Sequence, residues 1–276
     1  MWQSLFIVWR ESVEALLVIG ILFAWLNRQP NSSHAKKMLW LGTGLGILFA
    51  CTLAIGFTLA GEWLSGSGGE WFQAAMIFVA SLLILQMFIW MHRNGRFMKS
   101  HLEREASTRM AKGGLGILFL AMLAVAREGS ETVIFLYGIG AQQTGTSLMD
   151  FTLGSIFGFI LALMTFGILQ LFSHIISWRI FFAISEVILL LLGGALLMSA
   201  LDKAGEQLMN LDIPEWLYTW FDPAWDTSNL IPNFIAPTLA SFTGYRAQPS
   251  WLGVILLPLY WLVALIFIMY GGHSKN

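Results

Sequence analysis

Charge is what this sequence has least of. Only 11% of its 276 residues are Asp, Glu, Lys or Arg, while 57% are apolar and the mean hydropathy is +0.71. So little polar surface cannot coat a soluble globule of this size, which excludes a nucleic-acid-binding module and points to a polytopic membrane protein. Cysteine is nearly absent as well. The one copy, Cys51, cannot form an internal disulfide, and its place inside an apolar run predicts a small buried side chain. No basic stretch precedes the first apolar run, and Arg10 and Glu11 interrupt that run, so the amino terminus reads as a retained first span and not as a signal peptide. Lysine is missing from the interior of every apolar run, which excludes a retinal protein. A Ser–His or metal–His constellation at depth is missing too, which argues against a membrane hydrolase.

Long apolar runs are what the chain has most of. Seven stand out, Leu5–Leu26, Leu39–Ala60, Trp71–Met91, Gly113–Ala141, Leu148–Phe172, Ile180–Leu201 and Trp251–Tyr270. Each reaches the roughly 20 residues that a helix needs to cross about 30 Å of hydrocarbon. The fourth is the longest and is expected to tilt. Glycines such as Gly42, Gly44, Gly46, Gly154 and Gly158 predict close helix packing. Basic residues follow the first run (Arg28, Lys36, Lys37), the third (Arg93, Arg96, Lys99, Arg104, Arg109, Lys112), the fifth (Arg179) and the seventh (Lys275), so these ends are placed inside. The expected fold is all-α, with seven transmembrane helices, the amino terminus outside and the carboxyl terminus inside. The segment 202–250 is then the long external loop. Within it Asp212-Ile213-Pro214-Glu215 predicts a helix start, and Trp216, Tyr218, Trp220, Phe221 and Trp225 suit a helix lying on the outer surface. Pro232 and Pro237 break an apolar stretch too short to span, read as interfacial padding. The basic run from Arg93 to Lys112 is expected to meet anionic lipid headgroups or water.

Two charged stretches interrupt this pattern: Arg10-Glu11-Ser12-Val13-Glu14 in the first run and Arg127-Glu128-Gly129-Ser130-Glu131 in the fourth. An acidic or basic side chain at the centre of a membrane helix costs about 2.5 to 3.5 kcal/mol, so six of them are retained only if they pair and perform a task. At about 100° per residue, the arginine and both glutamates of each copy fall on one face. Three runs separate the two copies' starting points, and an odd number of spans reverses direction. A single membrane domain over 1–276 is therefore expected to contain two inverted three-helix repeats, 1–111 and 112–201, followed by the 202–250 loop and the seventh helix at 251–276. The two glutamate pairs come to similar depths, between the outer surface and the midplane, so four carboxylates could face one another. Such an oxygen-rich cage suits a hard cation, ferric iron, manganese or magnesium, and the absence of Cys and His argues against copper or zinc. A purely structural knot of ion pairs needs only two glutamates and leaves the other two without partners. Apart from Asp150 at the start of the fifth run, Glu186 is the remaining carboxylate within a run, and it is a candidate exit ligand or proton acceptor, with Arg179 as its alternative partner. His34, His92, His101, His174 and His273 fall near run ends and read as solvated.

The doubled R-E-x-x-E motif, the seven spans, the basic third loop and Phe242-Thr243-Gly244-Tyr245 before the last span together resemble the oxidase-dependent iron permeases, the fungal high-affinity iron permease and its bacterial EfeU-type relatives. The second copy of the motif fits that pattern fully, while the first has Ser12 where the family has glycine. The resemblance implies that Glu11, Glu14, Glu128 and Glu131 bind iron in transit and that Arg10 and Arg127 hold the empty site together. It implies a multi-pass protein of the cytoplasmic membrane, with iron as substrate, no permanently bound cofactor, and an extracytoplasmic oxidase or peroxidase as partner. The chain carries no Glu-x-x-His pairs of a di-iron bundle, so redox chemistry is assigned to that partner. A permease for another hard cation such as manganese, and more distantly a seven-helix receptor, stay open at this point, as does assembly into a homo-oligomer.

Overall fold

A computed structural model describes residues 1–30, 32–64, 66–94, 98–110, 114–140, 143, 145–171, 178–211, 214, 216, 219–228 and 235–273. All regular structure among these residues is helical: α1 (Trp2–Asn27), α2 (Ser33–Trp63), α3 (Ser67–Asn94), α4 (Met98–Met110), α5 (Gly114–Gly140), α6 (Thr146–Leu171), α7 (Trp178–Met209), α8 (Ala236–Thr243) and α9 (Trp251–His273). The described residues of each of the seven apolar runs lie on a helix of 23 to 32 residues. In hydrocarbon every backbone N–H and C=O must find its partner within the segment, and a helix achieves this residue by residue. Pro258 lies inside α9 and, having no N–H, adds no donor to that helix. Five of the helices, α2, α3, α6, α7 and α9, are long and apolar enough to cross a membrane by length and composition. The helices α1 and α5 match them in length, at 26 and 27 residues, but each carries one arginine and two glutamates.

Three sequence expectations change. The basic stretch after the third run is not an open loop, because 13 of its residues form α4. Its composition is rich in helix formers, and Glu105 binds Arg109 one turn on, with Nη2 at 2.7 Å and Nε at 3.1 Å. The sixth run does not end at Leu201; α7 continues through polar residues to Met209, which shortens the following connection. Cys51 is exposed and not buried, since α2 turns its Gly42 and Gly46 face to the interior and Cys51 lies well round the helix from it. The proposed helix start at Asp212, Ile213 and Glu215, together with Tyr218, Pro232, Arg96, Lys112, His174 and Lys275 and the side chains of Arg93, Lys99, Arg179, Pro237 and His273, lies outside the described residues. Beyond the end of α7, the helix described within 202–250 is α8. Proline stands in its first turn, and Gly244 ends it with φ +75°, its N–H bonding Ala240 O.

The described chain falls into two compact units. Unit 1 comprises Met1–Thr58, Asn94–Leu136 and Gln142–Phe181; unit 2 comprises Leu59–Arg93, Tyr137–Ala141 and Phe182–Asn276.

In unit 1 the glycines predicted to bring helices together do so. A Cβ on Gly154 or Gly158 of α6 would collide with the Met1 or Leu5 carbonyl of α1, and one on Gly42 would collide with the Leu118 carbonyl of α5. At Gly46 an added Cβ would lie 2.8 Å from Val125, and at Gly129 it would lie 2.7 Å from Ala50. Gly44, between them, faces open space. These pairs run in step along both chains, so α1 is parallel to α6 and α2 to α5. Ser4 Oγ donates to Phe151 O at 2.9 Å and Trp9 Nε1 to Thr165 Oγ1 at 2.9 Å, fastening α1 to α6 further. The apolar core joins Val18, Leu22 and Leu26 of α1 to Leu39 of α2, Ala106 of α4, and Ile117 and Leu120 of α5. The end of α1 thus meets the start of α5, and the two motif-bearing helices are antiparallel.

Unit 2 is built on α3, α7 and α9. Ser81 Oγ donates to Gly193 O at 2.8 Å, Tyr260 OH donates to Leu190 O at 3.0 Å, and Gln207 bonds Glu70. Arg246 gathers the chain ahead of α9 by bonding Asp202, Ser199 Oγ and the carbonyls of Ala240 and Tyr245.

Candidate metal site

All six ionisable groups of the doubled motif lie in unit 1. On α1, Arg10 is fully buried; its Nη1 donates to Glu11 Oε1 at 2.8 Å and its Nη2 reaches Glu14 Oε1 at 2.6 Å. On α5, Arg127 Nε lies 3.0 Å from Glu131 Oε1 and 3.9 Å from Glu128 Oε1. The i, i+1, i+4 spacing places each guanidinium against its own two carboxylates, as the helical period requires. The copies differ in surroundings, for the Arg127 side chain is 44% exposed and that of Arg10 is at 0%.

Antiparallel packing of α1 and α5 brings the two motifs face to face. One ligand oxygen from each of Glu11, Glu128 and Glu131 lies within 4.8 Å of the others, and among the described residues this is the group of acidic, histidine or cysteine ligands that converges so closely. Oε2 of all three glutamates is buried and has no hydrogen-bond donor. Three carboxylates at that spacing repel one another, and burial in a low dielectric sharpens the repulsion. Beside the two guanidinium groups, such a set offers the oxygen donors that a hard cation takes. Glu14 is not one of the converging three. Its carboxylate is turned to Arg10, although it stays within electrostatic reach of Glu128 across the helix pair.

The supporting contacts are not visible as motifs. Gly129 admits Ala50 of α2 against the motif turn of α5, and Trp9, next to Arg10, is anchored to Thr165. Thr132 Oγ1 donates to Glu128 O at 2.8 Å, drawing on the backbone within the motif itself. A small residue or a tryptophan beside a charged motif is the signal that could have found them. Glu186 belongs to unit 2, where its Oε2 lies 4.0 Å from His92 Nδ1. His92, expected to be only solvated, stacks on Phe88 with ring centroids 6.0 Å apart.

Comparison with known proteins places this chain in a family. Residues 1–271 match the iron permease FTR1 family. The chain is 27% identical to an uncharacterized protein of Archaeoglobus fulgidus, over the whole of this chain and 96% of that one. It is 22% identical to high affinity iron permease 1 of Rhizopus delemar, over 98% of this chain and 81% of that one. With the iron permease EfeU of Bacillus subtilis it shares 27% identity over 68% of this chain but only 39% of the relative. No solved structure matches. The match over nearly its full length establishes the chain as a member of the iron permease FTR1 family, membrane transporters of iron.

Proposed function

We propose that the chain carries iron inward across the cytoplasmic membrane through the glutamates of its two motifs. Glu11, Glu128 and Glu131 form the central ligand set, Glu14 receives or releases the ion beside it, and Arg10 and Arg127 balance the carboxylates between passages. The observation that carries this reading is the convergence of one carboxylate oxygen from each of three glutamates within 4.8 Å, the buried Oε2 of each having no hydrogen-bond donor. Membership of an iron permease family supplies the identity of the ion.

On this reading α1 and α5 also span, their charged turns facing each other and away from lipid, to give seven membrane helices with the amino terminus outside. The antiparallel course of α1 and α5, and the parallel courses of α1 with α6 and α2 with α5, support alternate crossing and an inverted repeat. The charge ledger favours an ion of charge two or three, since four glutamates and two arginines leave a net charge of -2 when all are ionised. Oxidation of ferrous iron falls to a separate extracytoplasmic protein, because these side chains offer ligands but no redox centre.

Uptake of radioactive iron by cells carrying the protein tests this directly. Glu14→Ala and Glu131→Ala abolish uptake while leaving the amount of protein in the membrane unchanged, and excess manganese competes weakly. Unaltered uptake in both variants removes the site, and manganese displacing iron at equal concentration reassigns the ion.

A further inference from the structure

Between α4 and the first turns of α5 lies a groove of about 730 Å³, which shares no residue with the carboxylate cluster. Its two walls have opposite chemistry. One is a single face of α4, where His101, Arg104, Glu105 and Thr108 recur at helical spacing. The other is apolar: Leu115 and Phe119 of α5, 63% and 50% exposed. The opposite side of α4, Leu102 and Ala106, is packed on the core of unit 1, so the polar face cannot turn away. Where the walls meet the fit is tight, since a Cβ on Gly116 would run into the backbone carbonyl of Arg109.

The charge on the polar wall is matched only in part. Glu105 is occupied by Arg109, and its second oxygen lies 4.0 Å from His101 Nδ1. Arg104 is exposed, and the contacts described for it involve its backbone carbonyl, which accepts from the Ser107 and Thr108 hydroxyls. Its guanidinium therefore offers a planar pair of donors to an anion.

We propose that this groove binds one anionic phospholipid, its phosphate on Arg104 beside His101 and an acyl chain along Leu115 and Phe119. A free anion would satisfy the guanidinium but leave the apolar wall bare, and a neutral lipid would cover the apolar wall but leave the extra positive charge unmatched. Only a ligand with both parts answers both walls. The site goes beyond iron transport and stands without it, since none of its residues touches the glutamates.

The test is lipid retention by the full-length purified protein, read by native mass spectrometry after exchange into phosphatidylglycerol or phosphatidylcholine. The wild-type protein keeps one phosphatidylglycerol in preference to phosphatidylcholine. Arg104→Gln lowers that retention roughly fivefold, the effect of one basic residue at a lipid surface, and Phe119→Ser, at an exposed position, lowers it as well. Arg28→Gln removes an exposed arginine outside the groove and leaves retention unchanged. Equal retention of the two lipids, loss in Arg28→Gln as great as in Arg104→Gln, or no loss in either groove variant overturns the proposal. Inorganic phosphate displacing the lipid at millimolar concentration would also overturn it, by showing that the anion alone is bound.

Discussion

Arg10 holds Glu14 at 2.6 Å across one turn of α1, and no part of the arginine side chain meets solvent. Glu11 shares the same guanidinium at 2.8 Å. Removing the cation therefore strands two buried carboxylates beside two more on α5.

Arg10→Ala is expected to destabilise the protein by about 3–5 kcal/mol, the usual consequence of leaving a buried charge unpaired. Arg127→Ala is expected to cost less than Arg10→Ala, because that guanidinium is 44% exposed and its pairs are less enclosed. Thermal unfolding in detergent, run on both variants, checks the asymmetry. Equal losses would show that the two motifs sit in equivalent surroundings.

The carboxylates should separate by position when binding is measured at equilibrium. Gln in place of Glu11, Glu128 or Glu131 preserves volume but removes a charge from the converging set, and iron affinity is expected to fall roughly tenfold or more in each case. Glu14→Gln leaves that set intact and is expected to lose less affinity, its larger effect appearing in uptake. Radioiron binding to the purified protein, beside uptake in cells, distinguishes the two.

Three glycines on α2 provide an internal control for helix packing. Gly42→Ala and Gly46→Ala push α2 off α5 and are expected to cost about 1–3 kcal/mol by overpacking. Gly44→Ala meets nothing and is expected to stabilise the helix by about 0.5–1 kcal/mol. The order of the three melting temperatures is the readout.

Asp226, in the connection after α7, accepts hydrogen bonds from the Ser228 hydroxyl at 2.6 Å and N–H at 2.8 Å, and from Gln248 Nε2 at 2.9 Å. These donors favour the ionised form and hold its carboxyl below the usual aspartate range, the Ser228 hydroxyl most of all. Because the folded value is lowered, the stabilising effect is complete above the unfolded value, about 3.9, and disappears as pH falls through the folded one. A carboxyl carbon resonance of Asp226 should titrate below about 3.9 and move up toward it in Ser228→Ala. An unshifted midpoint in the wild-type protein would show that these bonds do not persist in solution.

Helix positions were legible because apolar content over about 20 residues is a strong, local signal. What hydropathy alone obscured were helices made of polar residues. Both α4 and the Asp202–Met209 end of α7 are polar helix that a hydropathy scan reads as loop, and the Glu105–Arg109 spacing was the available correction for α4. The Arg-Glu-x-x-Glu spacing revealed which side chains share a face. It could not reveal that Glu14 turns to Arg10 while Glu11 joins Glu128 and Glu131, since that choice depends on how α1 meets a helix more than a hundred residues further along the chain. Likewise Gly42, Gly44 and Gly46 look alike in sequence, and only the register of α2 on α5 tells the contacting pair from the idle one.

The seating of α1 on α6 limits how this half of the molecule can move. Two points of backbone contact, one turn apart, and a tryptophan bolt beyond them leave no slack for one rod to slide or roll along the other. On the proposed transport reading, any displacement that lets an ion past the glutamates is made by α1 and α6 as a single lever.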